Sequence, residues 1–152
     1  MGYKVAIGFD HAGFPLKKTI KEYLEKQGHQ VVDKGTNSEE PCDYPDFAIA
    51  VAEAIKEGEA ELGVVCCGSG VGASVAVNKV PGVRGAICHD TFSAHQGRED
   101  DDTNVLCMGA RVVGQSLATE ILGAWINAKF SGLDRHVRRL NKVLAVEKKY
   151  MD

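Results

Sequence analysis

The chain reads as an α/β protein, a single three-layer α/β/α domain spanning residues 1–152 with a five-stranded parallel sheet and a C-terminal helix. Three observations carry that reading. Short apolar runs alternate with stretches of helical periodicity along the whole chain, the order that parallel strands and crossover helices require. A length of 152 residues, 44% of them hydrophobic, is enough to bury a substantial core without disulfides or metals. Asp10-His11, Cys67 to Gly72, His89-Asp90 and Gly109-Ala110-Arg111 all follow strand-like runs, where chains of this class hold their ligands.

The elements follow in order. Residues 3–9 form an apolar strand, and Asp10-His11-Ala12-Gly13 leads into a helix carrying Leu16, Ile20, Tyr23 and Leu24 on one face. Gly28 closes that helix, residues 29–33 are a second strand, and residues 35–45 are a loop containing two prolines. A helix over 46–56 presents Ala48, Val51, Ala52 and Ile55. Residues 62–66 are a buried strand, followed by Cys67-Gly68-Ser69-Gly70-Val71-Gly72 and a helix over 70–79 that stops before Pro81-Gly82. A fourth strand covers 84–88, with His89-Asp90 at its end as a helix cap, and 91–97 is helical. Asp100-Asp101-Asp102 reads as an acidic loop and 104–108 as the fifth strand. Helices over 115–130 and 133–149 complete a Rossmann-like order.

Composition removes several function classes. A net charge of −3 argues against nucleic acid or a membrane surface as partner, since both need a basic field. No apolar run approaches the roughly 20 residues of a membrane span, and the N-terminus opens on a strand-like segment, so a cytoplasmic location is expected. The five cysteines (Cys42, Cys66, Cys67, Cys88 and Cys107) are odd in number, lie mostly in strand-like runs and show no zinc spacing, which suits reduced thiols.

The residues with chemistry in them each allow two readings. Adjacent strand residues face opposite ways, so Cys66 belongs to the core, whereas Cys67 is either buried filler or a thiol activated at a helix N-terminus beside an anion cradle. The glycine turn lacks the lysine of a P-loop and the spacing of a dinucleotide fingerprint. Asp10-His11 is either an N-cap with a surface histidine or part of a ligand edge. Arg135 and Arg139, spaced i and i+4 with Arg138 beside them, are either a solvent face or a grip for one phosphate.

Seven segments then occur together and in order: Asp10 to Gly13, Asp33-Lys34-Gly35-Thr36, Asp43-Tyr44-Pro45, Cys67 to Gly72, Asn78-Lys79, Asp102-Thr103-Asn104-Val105 and Gly109 to Gly114. Through them nearly the whole chain resembles the type B ribose-5-phosphate isomerases and galactose-6-phosphate isomerases. That resemblance implies an aldose–ketose isomerase of sugar phosphates working through a cis-enediolate without metal or organic cofactor. It implies a homodimer, or a dimer of dimers, with shared sites. It implies Cys67 as catalytic base, Ser69 as a hydroxyl near the thiolate, and Gly68, Gly70, Val71 and Gly72 as the loop holding the enediolate oxygens rather than the phosphate. Asp10 and His11 match substrate-binding positions, His11 near the phosphate, and Arg111, Arg135 and Arg139 match the phosphate-gripping arginines.

One place departs from that pattern. Where many pentose-phosphate members carry a histidine that opens the sugar ring, this chain has Asp100, and the next position, often asparagine, is Asp101. A carboxylate donates protons poorly at neutral pH unless its surroundings raise its pKa. Three accounts follow: a protonated Asp100 does the work, His95 or His136 replaces it, or the substrate is a tetrose 4-phosphate that cannot close a furanose ring. Ribose 5-phosphate leads the substrate reading, with erythrose or erythrulose 4-phosphate and allose or galactose 6-phosphate behind it. Outside the enzyme class stand a non-catalytic sugar-phosphate binder and a flavodoxin-like carrier, the latter disfavoured by the late glycine turn and the few aromatic residues.

Overall fold

The computed structural model describes residues 2–151. Five parallel strands, β1 (Lys4–Phe9), β2 (Gln30–Asp33), β3 (Leu62–Cys67), β4 (Gly85–Ile87) and β5 (Val105–Gly109), form one sheet in the order β2-β1-β3-β5-β4. The expected three-layer fold is present. β3 lies at the centre, with Val64 opposite Ile7 of β1 and Leu106 of β5. Its continuous apolar run is buried on both faces, as a central parallel strand requires.

Alternation along the strands divides the core in two. Val5, Ile7, Phe9, Val64, Cys66, Leu106 and Met108 face a layer built from α1 (Lys17–Lys26), α4 (Thr91–Asp101) and α5 (Gln115–Ile126), where Trp125 is fully buried. Ala6, Val65, Cys67, Val105 and Cys107 face α2 (Tyr44–Lys56) and α3 (Val71–Val77), whose small residues bring both helices close to the sheet. The last helix, α6 (Asp134–Met151), lies outside these layers against α4 and buries only His136.

Several boundaries differ from the sequence expectation, and four of them have a clear physical reason. α2 starts at Tyr44 rather than at 46, because Pro45 in the first turn sacrifices only an N–H that has no helical partner there. α3 ends at Val77, where Asn78 leaves the helix to bridge Ser74 O and both main-chain groups of Gly85. α4 runs on to Asp101, so Asp100 and Asp101 form its last turn rather than a loop. Carboxylates oppose the dipole at that end, but Arg84 offsets them by pairing with Asp102 at 3.3 Å, and Asp102 caps the helix in the left-handed region with φ of 48°. α5 stops at Ile126 instead of 130, since the Arg98 guanidinium takes the Ala128 carbonyl and Ser131 N–H donates to Glu99 O.

Candidate active site

β1 is followed in sequence by β2 on one side and flanked in space by β3 on the other, so the chain reverses direction across the sheet between them. Crevices open at such a switch point. Here a cleft of about 410 Å³ is walled by Asp10, His11 and Ala12 after β1, Cys67 at the end of β3 with Gly68, Ser69 and Gly72 beyond it, Arg111 and Val112 after β5, and Tyr44 at the start of α2.

Cys67, the last residue of β3, is 6% exposed at the floor of this cleft. Its Sγ accepts the Gly70 N–H at 3.1 Å. An N–H···S contact of this kind strengthens as the sulfur gains negative charge. Gly70 reaches that position with φ of 83°, a left-handed conformation that glycine adopts without steric cost. The neighbouring Cys66 points into the opposite core layer, where burial, its largest influence, pushes its thiol well above the ordinary range. The division between an inert Cys66 and a cleft-facing Cys67 follows from the strand's alternation.

The loop after Cys67 is held by the turn after β5. Ala110 N–H donates to Cys67 O at 2.9 Å and Arg111 N–H to Gly68 O at 3.0 Å. Gly109 approaches so closely that a Cβ on it would sit 2.6 Å from the carbonyl carbon of Ser69. The Arg111 side chain lies along Gly68, its Nη1 3.4 Å from where a Cβ on that glycine would be. One turn therefore fixes both the thiol's loop and the cleft's guanidinium.

Asp10 serves the backbone: its carboxylate, in a residue 7% exposed, accepts the Gly13 N–H at 2.8 Å and shapes the turn behind the cleft. His11 Nδ1 accepts the Cys42 N–H at 3.1 Å, which places the neutral ring's proton on Nε2. A histidine so oriented can donate to an anion. Ser69 Oγ accepts the Val71 N–H at 3.2 Å rather than contacting the sulfur. Gly70 and Val71 thus spend their N–H groups holding the loop, and neither lines the cleft wall.

Four sequence candidates lie elsewhere in this chain. Asp100 Oδ1 is 3.4 Å from His136 Nε2, and His136 Nδ1 is 2.5 Å from Ser131 Oγ. Asp101 lines an apolar groove of about 390 Å³ between the β4 side of the sheet and α6. Arg135 and Arg139 are exposed on α6. Tyr44 was not among the candidates, yet its ring lies so close to Gly72 that a Cβ there would be 2.6 Å from it. Its signal was the Asp43-Tyr44-Pro45 segment, which marks a helix start but not which way the ring turns. Among the described residues, no group of three or more histidine, cysteine, aspartate or glutamate side chains is placed to hold a metal ion.

The chain is similar to known proteins along most of its length. The chain is 45% identical over 146 residues to ribose-5-phosphate isomerase B of Escherichia coli, covering 96% of this chain and 97% of that one. It is also 45% identical over 130 residues to D-erythrulose-4-phosphate isomerase of Pectobacterium atrosepticum, covering 84% and 85%. Ribose-5-phosphate isomerase B of Clostridium thermocellum superposes with a TM-score of 0.93 at 48% identity, over 97% of this chain and 99% of that structure. A family model described as ribose/galactose isomerase matches residues 5–143, a span that contains the whole sheet except Lys4 and the whole cleft, and the chain belongs to that family.

Proposed function

We propose that the protein interconverts an aldose phosphate and its ketose phosphate, with ribose 5-phosphate and ribulose 5-phosphate as the leading pair and Cys67 as the base. The carrying observation is a lone thiol at the cleft floor, hydrogen-bonded by Gly70 N–H and flanked by Arg111 and His11. The Cys67 thiolate takes the proton from C2 of the open-chain aldose, and the electron pair moves to give the cis-enediolate. The resulting thiol returns a proton to C1, while a proton passes between the two oxygens and leaves a carbonyl at C2. The N–H groups of Gly68, Ser69 and Gly72, which are not spent on holding the loop as those of Gly70 and Val71 are, and the Ser69 hydroxyl stabilise the charge as it develops.

The phosphate binds at the far end of the sugar, against Arg111 and the Nε2–H of His11. Binding energy from that end orients a small, mobile substrate. Arg135 and Arg139 complete the grip from a second copy of the chain, because α6 packs on α4 beyond β4, across the sheet from the β1–β3 crevice. A homodimer or a dimer of dimers serves equally well here.

A second reading has its own support. Asp100, which stands where many family members carry the ring-opening histidine, lies 3.4 Å from His136 Nε2 and outside the Cys67 cleft of this chain. A tetrose 4-phosphate needs no ring-opening acid. The similarity to an erythrulose-4-phosphate isomerase points the same way.

Turnover of ribose, erythrose, allose and galactose phosphates by wild type, Cys67→Ala and Asp100→Ala tests both readings. Loss of the base is expected to cost about a hundredfold or more on every substrate. Unchanged turnover by Cys67→Ala would remove the thiol from the mechanism. Erythrose 4-phosphate turning over far faster than ribose 5-phosphate would establish the tetrose reading.

A further inference from the structure

The β4–β5 ladder ends in an unusual rung. Cys88 N–H donates to Cys107 O at 3.1 Å in the ordinary parallel pattern, and the next rung would join Gly109 N–H to a main-chain carbonyl of the β4 strand. Instead Gly109 N–H donates to the His89 side chain, at 2.9 Å from Nε2. β4 has ended at Ile87, and the imidazole supplies the acceptor that the strand no longer offers.

Gly109 is also the residue on which the active-site loop rests. It contacts Ser69 backbone so closely that no Cβ fits, and the two residues after it bind Cys67 O and Gly68 O and carry Arg111. We propose that His89 is a positioning residue of the active site: its neutral imidazole, with the proton on Nδ1, fixes Gly109 and through it the Cys67 loop and Arg111. His89 itself touches none of the cleft. Burial, its largest influence, pulls its pKa below the ordinary histidine value, outweighing the carboxylate of Asp90 beside it, so the accepting form is the resident one.

This inference rests on the isomerase reading, and the test keeps the two apart. Wild type is first assayed on ribose 5-phosphate and erythrose 4-phosphate; no turnover of either there counts against the proposed function. The inference concerns His89→Leu, which keeps bulk without an acceptor, and His89→Gln, whose amide oxygen can stand near Nε2. The Leu variant is expected to lose about tenfold or more in kcat/KM, as small misplacements of reacting groups do, and to exchange its Gly109 amide about tenfold faster by NMR. The Gln variant is expected to recover both to within about threefold. Wild-type turnover and wild-type Gly109 exchange in His89→Leu would overturn the assignment. So would a Gln variant as impaired as the Leu variant at equal melting temperature, because bulk at position 89 would then be all that matters. Should His89→Leu fail to fold, Gly109 exchange and turnover in His89→Gln against His89→Ala decide the same question.

Discussion

Gly109→Ala is the sharpest test of how the active-site loop is held. The added Cβ would lie 2.6 Å from the carbonyl carbon of Ser69 and 2.7 Å from its Cα and O. Ordinary contact begins near 3.4 Å, so one side must move by about 0.8 Å, and both sides are backbone. β5 is buried along its length between β3 and β4. The Ser69 side, which faces the cleft, is therefore the one that yields. Overpacking of this kind costs about 1–3 kcal/mol, which lowers the melting temperature by roughly 2–4 °C per kcal/mol at this size. The same shift at the thiol's loop is expected to lower kcat by about ten- to a hundredfold. Gly114→Ala is the control, since a Cβ there meets nothing within 4 Å and φ is −83°. Circular dichroism melts and steady-state kinetics on both variants decide the matter. A Gly109→Ala enzyme that melts lower yet turns over at the wild-type rate would show that β5 does not set the loop.

Other expectations follow from the packing and the titrations. Trp125→Ala removes the largest fully buried side chain and its hydrogen bond to Thr103 Oγ1 at 3.1 Å, and is expected to cost about 3–5 kcal/mol in denaturant unfolding. Among the four thiols outside the cleft, half-buried Cys42 is expected to react first with iodoacetamide in the native protein, ahead of Cys88, whose thiol burial pushes up to about 11, and of Cys66 and Cys107, pushed up by burial too. Peptide mapping reads the order. His29 and His89 both have pKa values lowered chiefly by burial. The unfolded chain then binds protons that the folded chain refuses, so their stabilisation is complete above about pH 6.5 and lost as the pH falls through the folded values. Melting temperature should drop between pH 7.5 and 5.5, and less so in His89→Gln.

Much of this molecule was legible in the sequence because it depends on local signals. The run at 62–66 announces a strand buried on both faces, and alternation alone assigned Cys66 to the core and Cys67 to the other side. Asp90 behaves as the cap it resembled, accepting Ser93 N–H at 2.6 Å. The misread segments are those governed by distant partners. Asp100 and Asp101 looked like loop because nothing nearby neutralises three consecutive carboxylates, and Arg84 lies in another part of the chain. Residues 127–130 keep helical composition, but the carbonyl of Ala128 is claimed by Arg98. The His89–Gly109 contact spans 20 residues and leaves no periodic trace.

The site itself shows which of its parts local sequence can specify. Cys67, Gly68, Ser69 and Gly70 form one continuous segment, and their mutual geometry follows from a strand end and one left-handed glycine. Arg111, His11 and Tyr44 come from three other segments and meet that loop only because β1, β3 and β5 are adjacent in the sheet. Register is what aligns them: Phe9 stands opposite Cys66, and Cys67 opposite Gly109. A slip of one residue in β3 would carry Cys67 to the face occupied by Cys66 and turn the thiol into the α1/α4/α5 core. The two core layers exclude that slip, since it would also drive Val64 and Cys66 against the small residues of α2 and α3. The placement of the thiol is therefore enforced by the packing of the whole sheet, and substitutions that loosen either layer should reduce turnover before they unfold the protein.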